Sequence, residues 1–149
     1  MKLKTHIAFS LGISTFVLRL LGTPIFETLI IAIIVALFAN HLIDALGHEG
    51  HARTPLTHTP LRSIAWSLLS VPLAVLPYGP SSLPAALTAA VLAGPSHMLL
   101  DAFTEHGIYV KRNGRWRRFA LAHIRSNDPI ANALALLLGL MGILASLLL

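Results

Sequence analysis

Long runs of apolar residues leave this chain few ways to fold. Five runs reach or approach the ~20 residues needed to cross ~30 Å of hydrocarbon, at 5–21, 25–46, 64–76, 83–102 and 129–149. Only 11% of the 149 residues are charged, and 55% are hydrophobic. That is too little polar surface for a soluble domain of this size. The sequence therefore predicts an all-α, multi-pass transmembrane helical bundle of four to five spans.

The predicted spans form a single integral membrane domain over residues 1–149. We expect one helical hairpin at 5–46, a second at 62–106, a basic cytoplasmic loop at 107–127 and a C-terminal span at 129–149. The run at 64–76 is the weakest span, because it is short and contains Pro72.

Positive charges divide unequally between the two sides of this arrangement. Alternating five spans across a membrane puts ten of the 11 Lys and Arg residues on one side and leaves only Arg19 toward the other. Cytoplasmic loops carry an excess of Lys and Arg. The sequence therefore predicts a multi-pass protein of the cell membrane with a cytoplasmic N-terminus and an external C-terminus.

Histidine and aspartate form two similar patterns in the chain, Thr5-His6 followed by His41-x-x-Asp44, and Thr57-His58 followed by His97-x-x-x-Asp101. An ionisable group inside a membrane costs ~2.5 kcal/mol or more unless it is compensated. The chain has no cysteine, so imidazole and carboxylate are its available strong metal ligands. We predict a divalent metal site at the cytoplasmic ends of the helices, with zinc as the default and manganese or iron as alternatives. Its candidate ligands are His6, His41, Asp44, His58, His97 and Asp101.

The similarity of the two patterns suggests an internal duplication, in which each hairpin donates one histidine before its first helix and one His/Asp pair at the end of its second. Two such half-sites facing each other would hold two metals ~3.5–4 Å apart, an arrangement used in phosphoester hydrolysis. Chance alignment is the alternative explanation. A lone His-x-x-x-Asp on a helix of a soluble protein is more often a surface pair.

Three stretches of the chain resemble the YdjM-type membrane-bound metal-dependent hydrolases, and especially small uncharacterised archaeal membrane proteins related to them. The stretches begin at Thr5-His6, at Arg53-x-x-x-Thr57-His58-Thr59, and at Gly94-x-Ser96-His97 with Asp101, Thr104 and Gly107 following. The resemblance implies a metal site more strongly than a particular reaction. One departure stands out: the family usually has Pro-Asp-x-Asp-His where this chain has Asn40-His41-Leu42-Ile43-Asp44.

The leading functional prediction is a membrane-embedded metal-dependent hydrolase acting on a phosphoester, a lipid-linked one included, at the cytoplasmic face. Glu105 or Glu49 would act as general base or orient a ligand, and Arg53 would contact a substrate phosphate. The alternatives are a non-enzymatic metal-binding or transport protein, and a structural subunit with inert histidines.

The predicted basic loop from Lys111 to Arg125 has two interpretations. In one it fixes topology and attracts anionic lipid headgroups, with Trp116 at the interface. In the other its arginines reach a substrate. We expect membrane lipid as partner and no nucleic acid.

Overall fold

The protein is described here from a computed structural model, which covers residues 1–49 and 52–149 and only the backbone at Glu49. Six α-helices and four short strands follow one another in the described parts of the chain. They are α1 (Leu3–Leu20), α2 (Ile25–Gly47), β1 (His48–Glu49), β2 (Ala52–Arg53), α3 (Pro60–Ser67), α4 (Val71–Val75), α5 (Leu83–Ala102), β3 (Ile108–Arg112), β4 (Arg115–Phe119) and α6 (Pro129–Ser146). Turns of 3₁₀ helix at Leu68–Ser70 and Pro80–Ser82 precede α4 and α5.

Three helical segments in the described chain are long and apolar enough to cross a membrane, namely Ile25–Gly47, Pro80–Ala102 and Pro129–Ser146. The apolar helix Pro60–Val75, which takes in α3 and α4, is shorter. The predicted first span coincides with α1, which has 18 residues but carries Lys4 and Arg19. Length and composition thus support a helical membrane protein with three such spans, fewer than the four to five expected.

The basic segment that was expected to be a loop contains an antiparallel β-hairpin, so the all-α class holds only for the helical part. Strands β3 and β4 pair in register from Ile108 with Phe119 to Arg112 with Arg115. The two-residue connection is Asn113-Gly114, with φ of 50° and 77°. Asn-Gly suits a turn with two positive φ angles, and it is the strongest short-range hairpin signal in a sequence.

Helices α1 and α6 run parallel along their whole length. At one end the Thr5 hydroxyl donates to the Asn132 side chain (2.7 Å), and at the other the Arg19 guanidinium donates to the Ser146 carbonyl (3.2 Å). Between these ends, a Cβ added at Gly12 would overlap the backbone of Gly139. Small residues allow helix backbones to approach this closely, which is a common basis of helix association in membranes.

The apolar core lies between α1, α2, α4 and α5 and is rich in alanine. Small side chains on α5 let it pack closely against α2, so that the C-terminal ends of both helices lie side by side. The core residues are Leu18, Ile31, Val35, Ala39, Val71, Ala74, Ala86, Ala89, Ala90 and Ala93.

The contact between α1 and α6 generates the first prediction. Gly139→Leu places a large side chain against the backbone of Ala8. Overpacking of this kind costs ~1–3 kcal/mol, so we expect a lower midpoint in detergent-induced or thermal unfolding. Leu140→Val, on the exposed side of the same helix, is the matched control and should leave the midpoint nearly unchanged. Equal midpoints for Gly139→Leu and the parent protein would contradict this packing.

Candidate metal centre

Five of the predicted metal ligands meet at one end of the helical bundle. The first turn of α1, the last turns of α2 and α5, and the segment between β2 and α3 each contribute. We call the set the His/Asp cluster; it consists of His6, Asp44, His58, His97 and Asp101. The side chain of Asp44 is 22% exposed, while the other four are almost completely buried. The cluster therefore opens to solvent beside Asp44.

The two aspartates face the same pair of imidazoles. The Nε2 atom of His97 lies 3.3 Å from Asp44 Oδ1 and 3.2 Å from Asp101 Oδ2. The Nε2 atom of His58 lies 3.7 Å and 3.6 Å from the same two oxygens. Neither Nε2 atom, nor Asp101 Oδ2, makes a hydrogen bond. Buried polar atoms usually have a partner, so these contacts call for an explanation.

The tautomer of His97 follows from its contact with Asn40. The Asn40 side-chain nitrogen donates to the Ala36 carbonyl (2.7 Å) and to the Ser10 hydroxyl (3.2 Å). Its Oδ1 atom is therefore an acceptor, and it lies 2.8 Å from His97 Nδ1. His97 must donate from Nδ1. In the neutral ring, Nε2 then carries a lone pair directed at the aspartates.

A similar contact sets the tautomer of His58. The Thr57 hydroxyl donates to the Ile43 carbonyl (2.8 Å), so its oxygen can only accept from His58 Nδ1, 2.9 Å away. The Nε2 atom of His58 therefore also has its lone pair free. Burial lowers the pKa of His58 from its ordinary value, which favours the neutral imidazole.

A cation resolves this arrangement of mutually facing acceptors. A proton on one Nε2 would relieve one imidazole and leave the other facing two carboxylates. The cluster contains two sets of possible metal ligands. One is His6, His97 and Asp101, and the other is Asp44, His58 and His97. Within each set the ligand atoms all lie within 4.8 Å of one another. Imidazole nitrogen and carboxylate oxygen are ligands of zinc, iron and manganese. The donor set thus fits one or two divalent ions.

The two ligand sets each combine both hairpins. His6 from the first hairpin joins Asp101 from the second, and Asp44 from the first joins His58, which precedes the second. His97 belongs to both sets. The residues expected to form two half-sites meet with the exception of His41, but neither hairpin alone supplies a complete ligand set. The cluster therefore exists only once α1 and α2 are packed against α5.

Arg53 compensates the charge of Asp101. Its Nη2 atom donates to Asp101 Oδ1 at 2.6 Å, and its Nη1 atom donates to the Thr104 hydroxyl and the Gly107 carbonyl at 3.0 and 2.9 Å. The α-amino group of Met1 also donates to Asp101 Oδ1, at 3.0 Å. These bonds orient Asp101 so that Oδ2 faces His58 and His97. Arg53, which was expected to contact a substrate phosphate, is instead hydrogen-bonded to the candidate ligand Asp101.

His6 lies flat against His97. The two rings stack with centroids 3.8 Å apart and planes 8° from parallel, and His6 Nε2 lies 3.1 Å from Asp101 Oδ1. Neither ring nitrogen of His6 makes a hydrogen bond. His6 is thus a buried imidazole in which no hydrogen bond fixes the tautomer, and its lone-pair nitrogen is available to a ligand.

Two other predicted site residues, His41 and Glu105, lie outside the cluster. His41 is exposed, and its Nδ1 atom contacts the Leu37 carbonyl of its own helix. Successive helical residues point ~100° apart, so Asn40 faces the cluster and His41 does not. Glu105 is half-exposed, with its carboxylate 3.7 Å from His106. The side chain of Glu49 lies outside the described residues.

The residues that position the histidines were missed as functional groups, although the sequence contained a signal. Asn40 is a fully buried amide in a long apolar helix, one turn before Asp44. Amides inside membrane helices are rare and need partners. The hydroxyls of Ser10 and Ser96 lie 2.6 Å apart beside it. The i, i+4 spacing of Asn40 from Asp44 and the place of Thr57 directly before His58 could have identified both as positioning residues.

The fold and the cluster define a helical membrane protein with a candidate metal centre. The chain belongs to the family described as "Protein of unknown function (DUF1286)", whose model matches residues 1–100 of its 149. The match contains four residues of the cluster and ends one residue before Asp101. No curated protein and no solved structure is found to be similar to the chain.

The contact between Asn40 and His97 generates the second prediction. Asn40→Leu keeps the size of the side chain but leaves His97 Nδ1 without its acceptor. Loss of such an outer partner lowers metal affinity by ~10–100-fold, which a competitive titration with a chromogenic chelator would measure. His41→Ala, at the next position on the exposed face, is the control and should bind metal like the parent. Unchanged affinity in Asn40→Leu would show that His97 is not positioned in this way.

Proposed function

We propose that the protein is a membrane-embedded metal-dependent hydrolase that acts on a phosphoester at the cytoplasmic face. The observation that carries the proposal is the buried set of lone pairs on His58, His97 and Asp101, which lack any donor. The resemblance to YdjM-type hydrolases adds support, because its motif residues His58, His97 and Asp101 all belong to the cluster.

Each residue of the cluster has a role in this proposal. His97 would hold metal in both ligand sets, His6 and Asp101 in one, and Asp44 and His58 in the other. A divalent ion supplies a Lewis acid that polarises a phosphoryl oxygen and lowers the pKa of water. Asp44, at the opening, borders the side from which a substrate would enter. Arg53 and Asn40 keep their partners oriented and so reduce reorganisation during the reaction.

The non-enzymatic alternatives differ from this proposal in where polar groups should lie. A transporter usually has its binding site near the middle of the membrane, between interrupted helices. The cluster instead lies at one end of the bundle, and the packed core beside it consists of alanine and branched aliphatic residues. This position favours a site that is reached from one side only.

The third prediction tests the hydrolase directly. Purified protein loaded with zinc, manganese or iron should hydrolyse bis(p-nitrophenyl) phosphate, and removal of the metal by a chelator should abolish the reaction. His97→Ala removes a ligand from both sets, so we expect it to lower activity and bound metal by more than the ~100-fold that loss of an outer partner can cost. Metal content by elemental analysis and the rate of p-nitrophenol release are the measurements.

Two histidine variants serve as controls for that experiment. His41→Ala and His106→Ala remove imidazoles that lie outside the cluster, and both should keep metal and activity. Metal binding without hydrolysis of this or a lipid phosphoester would favour a non-enzymatic metal-binding protein. A parent protein that binds no divalent metal would refute the proposal.

We also propose that the chain crosses the membrane five times, with the cluster on the cytoplasmic side. Helix α1 has the same length as the candidate span α6 and contacts it at both ends, so it traverses the same depth. The helix Pro60–Val75 is ~24 Å long at ~1.5 Å per residue. It would span with help from local thinning of the bilayer. The excess of Lys and Arg at the cluster end supports a cytoplasmic location.

The fourth prediction tests this topology. The chain has no cysteine, so single cysteines can be introduced at Arg112 and at Leu149, both of which are exposed. In intact cells a membrane-impermeant maleimide should label Leu149→Cys and should label Arg112→Cys only after permeabilisation. Labelling of both positions from the same side would show that α6 does not cross the membrane. A third cysteine at Leu21, an exposed residue that directly follows α1, separates five spans from three, because it is external only if α1 also crosses.

A further inference from the structure

The β3–β4 hairpin carries a dense group of unpaired positive charges. All five residues of β4 are exposed, and Lys111 and Arg112 are exposed on β3. Among the described residues, none of the hairpin cations forms an ion pair with a carboxylate. The cations are Lys111, Arg112, Arg115, Arg117 and Arg118. Such a surface is complementary to a polyanion.

The hairpin is attached to the end of the helical bundle. The Leu121 amide donates to the Ala102 carbonyl and the Ile124 amide to the Phe103 carbonyl, so the chain after β4 returns to the C-terminal end of α5. Helix α6 begins shortly afterwards, at Pro129. The hairpin therefore starts and finishes beside the end of α5 and the start of α6. In the five-span arrangement proposed above, this level is the headgroup layer of the bilayer.

Exposed apolar side chains accompany these charges. Trp116 is 39% exposed, Phe119 41% and Leu121 54%. The guanidinium of Arg62 lies over the Trp116 ring, 4.9 Å from its centroid, and the ammonium of Lys111 lies 5.9 Å from the same centroid. Tryptophan is enriched at membrane interfaces, where its ring is partly apolar and its N–H stays solvated. Basic residues with exposed aromatic side chains also bind single-stranded nucleic acid, but the attachment of this hairpin at the ends of two candidate spans favours lipid headgroups.

We infer that the β3–β4 hairpin is a binding surface for anionic lipid headgroups of the adjoining leaflet, with Trp116 as its anchor in the interface. Each Lys or Arg near an anionic membrane contributes a factor of about five in binding. Three cations on β4 together therefore contribute about a hundredfold.

The hairpin is also bonded to the segment that carries His58. The Tyr109 amide donates to the His58 carbonyl (2.8 Å), and the Tyr109 hydroxyl donates to the Arg53 carbonyl (3.1 Å). A hairpin held at the headgroups therefore holds the His/Asp cluster close to them. For the proposed hydrolase, this position of the cluster favours an anionic lipid phosphoester as substrate. Only this assignment of a substrate class rests on the proposed function; the lipid-binding surface does not.

The fifth prediction uses Trp116 as a local reporter. Trp66→Phe leaves Trp116 as the only tryptophan, since the chain has two. The protein is placed in nanodiscs that contain phosphatidylcholine and phosphatidylglycerol in equal parts, with the brominated acyl chains on one lipid or the other. We expect brominated phosphatidylglycerol to quench Trp116 fluorescence more than brominated phosphatidylcholine does. Added salt should reduce the difference, because the Debye length falls from ~10 Å at 0.1 M to ~3 Å at 1 M.

Matched charge variants show whether the hairpin itself is responsible. In the Trp66→Phe background, R115Q/R117Q/R118Q should lose the preference for phosphatidylglycerol. K2Q/K4Q/R125Q removes the same number of charges from the same end of the bundle and should keep it. All measurements are repeated on chelator-treated protein, so that a failure of the metal proposal does not affect this result.

Several outcomes would overturn the inference. Equal quenching by the two brominated lipids at low salt would show that the hairpin has no preference for anionic lipid. An equal loss in both triple variants would assign the preference to overall charge rather than to the hairpin. Quenching by neither lipid, with a fluorescence change on addition of duplex RNA, would identify a nucleic-acid surface instead.

Discussion

The rest of the structure depends on one unfavourable interaction. At a buried end of the bundle, the carboxylates of Asp44 and Asp101 face the Nε2 lone pairs of His58 and His97. Acceptors repel one another, and burial strengthens the repulsion because the surroundings are less polar than water. The protein offsets part of this cost from outside the cluster. Arg53 neutralises one oxygen of Asp101, and Asn40 and Thr57 hold the two imidazoles by their other nitrogens. These contacts leave the Nε2 atoms of His58 and His97 and the Oδ2 atom of Asp101 without a partner, and a cation placed among them would supply the missing positive charge.

Helix packing serves the same cluster. Small residues allow α1 to approach α6 and α5 to approach α2, so the ends that carry the ligands converge. Because each ligand set takes residues from both hairpins, assembly of the bundle and formation of the site are one event. A cation bound there would stabilise the packed arrangement over one with separated hairpins, since it binds only the former.

A short series of hydrogen bonds connects the His/Asp cluster to the basic β3–β4 hairpin. Arg53 contacts Asp101 through its side chain, while its carbonyl accepts a hydrogen bond from Tyr109 at the base of the basic hairpin. The His58 carbonyl accepts a second hydrogen bond from Tyr109, this one from its backbone amide. The cluster and the hairpin are therefore joined by strand β3 and the segment before α3. A centre attached in this way to an interfacial element suits chemistry on molecules that are themselves held in the membrane surface.

The membrane class and most residues of the His/Asp cluster could be predicted from the sequence, because both follow from the free energy of placing a group in hydrocarbon. Apolar runs of span length have few alternatives to a bilayer, and a histidine or aspartate within such a run needs compensation wherever it lies. The hairpin at Asn113-Gly114 was also predictable from its turn residues, but a loop was expected because the cationic character of the segment dominated its interpretation. The number of full spans depends on depth and tilt, which hydropathy alone does not specify.

Only the tertiary structure decided which residues share the cluster and how they are paired. His41 and Asn40 are neighbours in the chain, and the rotation of α2 directs the amide inward and the imidazole outward. Arg53 lies close to His58 in sequence, yet its partner is Asp101, 48 residues away. In the same way, the sequence spacing does not show that His6 joins Asp101 of the second hairpin and that His58 joins Asp44 of the first. Composition and periodicity determine what must be buried, whereas the facing of one helix toward another depends on the packing of the whole chain.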